Sequence, residues 1–416
     1  MNSAHKNYHW RIAGFYFFYF AFVGMFAPYW SLYLKSIQLD AMQIAILMSV
    51  QPVMRMLAPT LWGWLADGGY DTVMRSIRRG NTLPAAPPAP EGSAPPCRSG
   101  TGKRLRVVQV AALCSVLSYL GVFATTSFYG MLLVLGVMSF FWSASMPLVE
   151  ATTLTYLGKH AAHYGRIRSW GSVGFIVTVI GLGYAFDYIA IAWVLWVGVV
   201  IKLGILFFAR QIPPTEVLAH HTDSRPIMSL LLQPQVLAFF GACFLMSLAH
   251  GPYYTFFSIY LVEHGYAKSA VGWLWALGVA CEIGVFFLMP WLMRRYTLPQ
   301  ILMVSFACAV LRFLLIGWYV DSLWLLLIAQ VLHAATFGSF HAAAVALIHQ
   351  FFQGRHQSKG QALFGSITYG AGGMAGGLLS GPLWQHWGAS AMYSLSAAAA
   401  LLGLLLMGWK PGMARG

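Results

Sequence analysis

Eight ionisable side chains lie inside long apolar runs of this 416-residue sequence: Arg55, Glu150, Lys202, His250, Glu282, Arg312, His333 and His341. A charge at the centre of an isolated helix in lipid is unfavourable by at least ~2.5–3.5 kcal/mol on insertion scales. Such groups persist when they line a wet cavity, pair with each other or lie near helix ends. Carboxylates, guanidinium groups and imidazoles in a wet cavity can bind a polar solute or carry protons.

The carboxylates and arginines allow two interpretations each. Glu282 and Arg312 lie near the middles of two apolar runs, where they could form a proton or substrate site or a structural ion pair. The general rule that intramembrane charges mark pathways favours the site. Glu150 and Arg168 lie near the ends of their runs, so snorkelling toward the membrane surface explains them equally well.

The histidines are candidates for proton transfer. His333 and His341 are eight residues apart, about 80° from coincidence on an ideal helix, and so share a broad face two turns apart. Histidine titrates near neutrality, which suits proton coupling, but a neutral histidine hydrogen-bonded between helices is an equal alternative for His341. His250 and Lys202 are weaker candidates, and we expect Lys202 to snorkel or to pair within the N-terminal half.

The elements that carry these residues are transmembrane helices. Hydrophobic residues make up 59% of the chain and charged residues 9%, against roughly 25% charged in soluble proteins. About 20 apolar residues span a bilayer as a helix. On that measure the helices lie near 11–34, 42–66, 105–126, 128–152, 168–187, 189–209, 235–262, 270–293, 298–320, 322–352, 360–384 and 388–409. The sequence thus predicts an all-α membrane protein with six-helix bundles at 1–209 and 235–416, joined by a cytoplasmic linker at 210–234.

The basic residues orient the chain. Of the 25 Lys and Arg residues, 20 fall in the termini and in every second loop, whereas the opposite loops hold only Lys35 and Lys268. By the positive-inside rule both termini are cytoplasmic, and the net charge of +14 indicates membrane topology and not nucleic-acid binding. Residues 80–100 are rich in Pro, Ala and Gly, which predicts a flexible cytoplasmic insert.

Motifs for enzymatic chemistry are missing from the sequence. It contains no GxSxG, HExxH, CxxC or GxxxxGK[ST] pattern, so we expect no enzyme, metal site or ATP-driven pump. The five cysteines show no paired spacing and are expected to be free thiols. No cofactor is expected beyond a proton gradient.

Six plus six helices with a cytoplasmic linker resemble the major facilitator superfamily. The loop motif of that superfamily is similar to Gly63-Trp-Leu-Ala-Asp67, with its basic part at Gly102-Lys103-Arg104 displaced by the insert. The resemblance implies that Gly63, Asp67, Lys103 and Arg104 link helices of the N-terminal bundle in the inward-closed state.

Further motifs resemble the lactose permease-like branch and the related phenylpropionate permease group. The aromatic-rich first helix, Pro147–Ala151 around Glu150, and Tyr164–Gly174 around Arg168 resemble the first, fourth and fifth helices of that branch. The separation of 18 residues between Glu150 and Arg168 also matches. The resemblance implies that this carboxylate and this guanidinium form a substrate-binding pair.

The C-terminal half resembles the same branch less evenly. Arg312 and His333 are similar to its coupling arginine and histidine, and Glu282 is similar to its eighth-helix carboxylate, displaced by about one turn. Thr336 stands where lactose permease has the carboxylate that carries the proton. The pattern 332–341 and the position of Arg55 are more similar to the phenylpropionate group.

The resemblance implies a proton-coupled symporter that works by alternating access between the two bundles. The expected substrate-binding residues are Glu150, Arg168, Trp170, Arg55 and Tyr16, and the expected proton-coupling residues are Glu282, Arg312, His333 and His341. Glu282 would pair with Arg312 when ionised and release it when protonated. The expected cargo is a small aromatic or organic acid; a sugar, a nucleoside or a drug is the alternative. We expect a monomer in the bacterial cytoplasmic membrane.

Overall fold

Long apolar helices build the protein. The computed structural model describes residues 3–66, 100–157, 164–212, 228–353 and 356–408. Within these ranges the chain is helical with short turns and has no β-strand. Eleven helices in them are long and apolar enough to cross a membrane. The multi-pass helical architecture predicted from hydropathy is therefore confirmed.

The helices of the first half begin with an interrupted one. Helix α1 consists of Ser3–Met25, a π-helical turn at Phe26–Trp30 and a final segment Ser31–Ser36. The following helices are α2 (Ala41–Ala66), α3 (Gly100–Tyr119), α4 (Phe128–Leu157), α5 (Tyr164–Tyr188) and α6 (Val194–Gln211).

The second half repeats this arrangement with two further π-helical segments. Its first helices are α7 (Pro234–Glu263), α8 (Lys268–Arg295) and α9 (Leu298–Trp318). Helix α10 consists of Leu323–His333, a π-helical segment Ala334–Ser339, and Phe340–Phe351. The segments Gln357–Phe364, Gly365–Gly372 and Gly373–Gly408 then follow one another, with Gly365–Gly372 π-helical.

The last of these segments contains a break at Gly388, where φ is 76° and ψ is −180°. A left-handed φ favours glycine, because a side chain would clash with the backbone there. The apolar stretch Lys359–Gly408 has 50 residues, more than twice the roughly 20 that span a bilayer. We name the part before Gly388 α11 and the part after it α12. The count of twelve spans and the cytoplasmic termini stay predictions.

Helix packing repeats between the two halves. In the first half α1 packs on α5 and α6, and α3 packs on α4 and α6. In the second half α7 packs on α11, α8 on α10, and α9 on α12. The halves meet where α2 contacts α11, where α5 contacts α8, and where α7 contacts the end of α1. Internal repeats that face each other in this way place a transporter's binding site between them. The linker residues 213–227 lie outside the described residues, so the boundary of the two bundles stays a prediction.

The two halves are in direct contact at one end of the helix bundle. The Asp187 carboxylate, at the end of α5, accepts a hydrogen bond of 2.7 Å from the backbone N–H of Lys268 at the start of α8. Lys35 and Glu263 form an ion pair that joins α1 to α7. At Gly272 a side chain would overlap a backbone carbonyl oxygen of α5, so glycine is what permits this approach. The distribution of basic residues predicts that this closed end faces outside the cell.

Candidate functional site

Glu150 on α4 and Arg168 on α5 lie side by side. The Nε atom of Arg168 is 3.9 Å from Oε1 of Glu150, and the Tyr164 hydroxyl donates a hydrogen bond of 3.1 Å to the same oxygen. The guanidinium group of Arg168 lies over the ring of Phe20 at 3.9 Å and near the ring of Tyr16 at 5.4 Å. The ion pair is long, and its side chains are 30% and 39% exposed. Arg168 is therefore held by aromatic faces while its N–H groups stay available to a ligand.

Arg55 on α2 provides a second exposed guanidinium group. It lies 5.9 Å from the centre of the buried Trp142 ring, which stacks on Tyr19 at 4.6 Å. Its charge also acts on Tyr254 of α7 and Tyr369 of α11, across the interface between the halves. Arg55 therefore lies near the interface between the two halves, close to aromatic residues of both.

Glu282 on α8 faces His333 on α10. The distance from Oε2 of Glu282 to Nε2 of His333 is 4.0 Å, and the side chains are 17% and 8% exposed. The two helices approach here because Gly338 has no side chain: a Cβ atom at this position would lie 3.1 Å from Cγ of Glu282. A carboxylate and an imidazole at this spacing can exchange a proton through one bridging water.

The expected ion pair between Glu282 and Arg312 is not formed between these described side chains. Arg312 is fully buried, donates from Nε to the Ala329 carbonyl oxygen at 3.0 Å, and lies over the ring of Tyr253 at 4.2 Å. The physical reason is that the two side chains contact α10 at different positions along its axis. Arg312 contacts that helix at Ala329, whereas Glu282 contacts it about one turn further on, at His333. The predicted ion pair is therefore not present in this conformation, and the switching of Arg312 by Glu282 stays a prediction.

Three rings on one face of α10 form a column. His333 stacks with Phe337 at 5.6 Å between ring centres, and Phe337 stacks with His341 at 6.4 Å. An ideal helix would turn His341 about 80° away from His333. The π-helical segment Ala334–Ser339 lies between the histidines and changes this offset. The column ends where Nδ1 of His341 hydrogen-bonds the Tyr369 hydroxyl at 2.8 Å.

His250 is hydrogen-bonded at both ring nitrogens. Nδ1 lies 2.8 Å from the Met246 carbonyl oxygen and Nε2 lies 3.2 Å from the Thr336 hydroxyl. A carbonyl oxygen only accepts, so a neutral His250 donates from Nδ1 and accepts at Nε2. Thr336 is therefore a hydrogen-bond partner of this imidazole.

Lys202 is buried in the first half, and it does not snorkel. Its ammonium group donates to the Ser115 hydroxyl at 2.9 Å and lies over the ring of Phe22 at 4.1 Å. Among the described side chains no carboxylate forms an ion pair with it. The predicted pairing within the N-terminal half is thus made with a hydroxyl and an aromatic face.

The two sets of candidates lie across the interface from each other, close enough for their charges to interact. The charge of Arg168 in the first half acts on Glu282 and on His341 in the second half. Arg55 reaches across the same interface to Tyr254 and Tyr369. These two tyrosines could not be predicted from the sequence, because a tyrosine in a membrane helix does not by itself indicate a binding site. We call the part of the interface that Arg55, Arg168, Glu282 and the neighbouring aromatic rings border the central cavity.

Trp170 does not belong to the central cavity. Its side chain is 50% exposed and lines a groove on the outer surface, between α1, α5 and α6. Tyr16, by contrast, lies beside Arg168 as expected. Trp170 differs from Arg168 because it lies two residues further along α5, and two residues turn a side chain by about 200° around the helix axis.

The loop motif falls mostly outside the described side chains. Asp67 lies outside the described residues, and Gly63 and Lys103 belong to helices whose side chains are not described at these positions. Arg104 lies near the start of α3. The conformational role of these four residues stays a prediction. Within the described residues no group of three or more His, Cys, Asp or Glu side chains could hold a metal ion.

Known proteins of similar sequence are membrane transporters. The chain is 29% identical over 393 residues to the Escherichia coli (strain K12) protein named "Probable 3-phenylpropionic acid transporter", covering 94% of each chain. It is 25% identical over 400 residues to the maltose permease of Geobacillus stearothermophilus, covering 94% of this chain and 92% of that one.

The fold is shared with a solved transporter as well. The crystal structure of the nucleoside transporter NupG superimposes with a TM-score of 0.73 at 15% identity, covering 99% of this chain and 100% of the other. The family described as "MFS_1 like family" matches residues 9–395. The chain therefore belongs to the MFS_1 like family and is a multi-pass transporter of the major facilitator superfamily, not an enzyme.

Proposed function

We propose that the protein is a proton-coupled symporter that imports a small aromatic carboxylic acid of the 3-phenylpropionate type by alternating access. The main observation in support is the pair of guanidinium groups, Arg55 and Arg168, which border the central cavity and contact aromatic rings. A ligand with a carboxylate at one end and a phenyl ring at the other matches both features. The named E. coli relative supports this choice of substrate.

The proposed binding mode uses the loose pair of Arg168 and Glu150. A substrate carboxylate would take the place of Glu150 as the partner of Arg168, because a guanidinium fork binds carboxylates in two parallel hydrogen bonds. The phenyl ring would lie against Tyr254 and Tyr369, where Arg55 adds a second positive charge. A sugar would instead need several donors and acceptors for its hydroxyl groups.

Charge balance in the central cavity provides the coupling. Arg55 and Arg168 oppose Glu150 and Glu282, so the empty cavity is neutral when all four are ionised. A proton on Glu282 gives a net charge of +1, and a bound carboxylate then returns the cavity to neutral. Closing a cavity with an uncompensated charge is strongly unfavourable, because the charge loses its water. Only the empty state and the state with both proton and substrate would therefore change conformation readily.

The histidines are the proposed route by which protons reach Glu282. Glu282 would receive its proton through His333, which lies 4.0 Å away. His341, hydrogen-bonded to Tyr369, lies further along the same ring column. Arg312 would not take part in this charge balance, since its Nε bond and its contact with Tyr253 fix it in the buried interior of the second half, about one turn of α10 from Glu282.

A ligand comparison tests the proposed substrate class. We expect 3-phenylpropionate to stabilise the purified protein by about 2.7 kcal/mol at a concentration of 100 times its Kd, which raises the unfolding temperature. The uncharged amide of the same acid should give no shift at equal concentration, because it cannot replace a carboxylate on Arg168. Thermal-shift curves with the acid, the amide, maltose and a nucleoside provide the measurement. Stabilisation by the nucleoside or by maltose alone would replace the proposed substrate with that class.

A further inference from the structure

We propose that an anionic phospholipid of the membrane binds the outer groove between α1, α5 and α6. The groove has a volume of about 470 Å³, and the exposed side chains of Trp10 and Trp170 border it. Aromatic side chains line it, with one cation at its edge: Trp10, Phe17, Phe18, Trp170, Phe208 and Arg166. None of these residues has a role in the proposed transport cycle.

The apolar floor of the groove is built from fixed rings. Phe208 lies against α1 where Gly14 has no side chain, in the volume that a Cβ atom would occupy. The Phe208 ring stacks on Phe18 at 5.6 Å and meets Trp10 edge-on at 5.7 Å. A groove with preset walls can hold an acyl chain without first ordering its own side chains.

One arginine lies at the edge of the groove, and two more belong to the helix ends near it. Arg166 lines it from the first turn of α5 with an exposed side chain. Arg11, next along the chain to Trp10, has its guanidinium group 5.7 Å from the Trp10 ring. Arg210, also exposed, lies in the last turn of α6. The positive-inside rule places this end in the cytoplasmic leaflet, where basic pockets between helices bind anionic lipid headgroups.

The tryptophans agree with a lipid occupant. Trp10 and Trp170 are 49% and 50% exposed at the same end of the bundle. Tryptophan is enriched at the level of the headgroups, because its ring is apolar and its N–H is polar. An acyl chain along the phenylalanines and a phosphate on Arg166 would therefore use both parts of the groove. The complementary charge selects phosphatidylglycerol over phosphatidylcholine.

Native mass spectrometry of the purified full chain tests the headgroup. We expect the wild type to retain phosphatidylglycerol in preference to phosphatidylcholine, and Arg166→Gln to bind phosphatidylglycerol about fivefold more weakly. Arg295→Gln is the matched control, since Arg295 is an equally exposed arginine in the last turn of α8, on the other half of the molecule. Equal affinity of both variants, or no headgroup preference in the wild type, overturns the proposal.

Fluorescence quenching tests the acyl chain. Phosphatidylglycerol with brominated acyl chains should quench Trp170, and Trp170→Phe should remove that part of the quenching. The difference should shrink in Arg166→Gln and persist in Arg295→Gln. If Trp170 contributes no quenching while the headgroup preference persists, the lipid binds at another surface or the chain's own N-terminal segment fills the groove, and the proposal is wrong.

Discussion

Replacing Arg168 with alanine is expected to weaken binding of 3-phenylpropionate by roughly 10- to 150-fold, which is the effect of losing a charge-assisted hydrogen bond. Arg168 is 30% exposed, so water screens part of its charge. The expected loss of affinity therefore lies in the lower part of that range. Arg168→Lys should lie between the wild type and Arg168→Ala, because lysine keeps the charge but loses the planar fork.

Equilibrium binding to the purified variants provides the measurement. Arg210→Ala is the control, because Arg210 is an exposed arginine in the last turn of α6 and does not face the central cavity. It should bind the acid like the wild type. If Arg168→Ala also bound it with unchanged affinity, the carboxylate would have to contact Arg55 or another group, and the proposed binding mode would be wrong.

Glu282→Gln is expected to abolish uphill accumulation while leaving exchange of substrate across the membrane. In this variant Arg55 and Arg168 oppose Glu150 alone, so the empty cavity has a net charge of +1. Binding of a carboxylate makes it neutral. The loaded protein can therefore change conformation, whereas the empty protein is arrested by its uncompensated charge. Counterflow from preloaded proteoliposomes should stay near the wild-type rate, and accumulation driven by a pH gradient should fall to the background of protein-free vesicles.

Two companion variants make this result specific. Glu282→Asp keeps a titratable carboxyl group and should retain part of the accumulation. Glu263→Gln removes a carboxylate from the ion pair with Lys35 at the closed end and should accumulate substrate, because that carboxylate is outside the cavity. Accumulation by Glu282→Gln at the wild-type level would move the carrier role to another residue.

The helices and part of the site could be predicted from the sequence. Apolar length determines a membrane span almost alone, since lipid requires every backbone polar group to bond within the helix. Glu150 and Arg168 could be paired because their motifs resemble those of known permeases, and the structure places them 3.9 Å apart. The sequence predicted Arg312 as the partner of Glu282, whereas the structure places His333 opposite that carboxylate.

The rest depends on helical phase and height, which single residues do not encode. Trp170 is two positions from Arg168 but lies on the outer surface. Arg312 and Glu282 both reach α10, yet they meet it at different turns. The π-helical segment between His333 and His341 brings rings into a column that ideal helix geometry would not predict. Such segments form through packing against neighbouring helices and frequently mark functional sites.

The charge balance of the central cavity makes one measurement decisive. Symport of one proton with one carboxylate carries no net charge, so a pH gradient alone should drive 3-phenylpropionate into proteoliposomes above the level of protein-free vesicles. A membrane potential alone, imposed with potassium and valinomycin at equal pH on both sides, should add nothing to the downhill equilibration that occurs without a potential. Uptake that follows the potential without a pH gradient, or no protein-dependent uptake under either condition, would contradict the proposed electroneutral coupling.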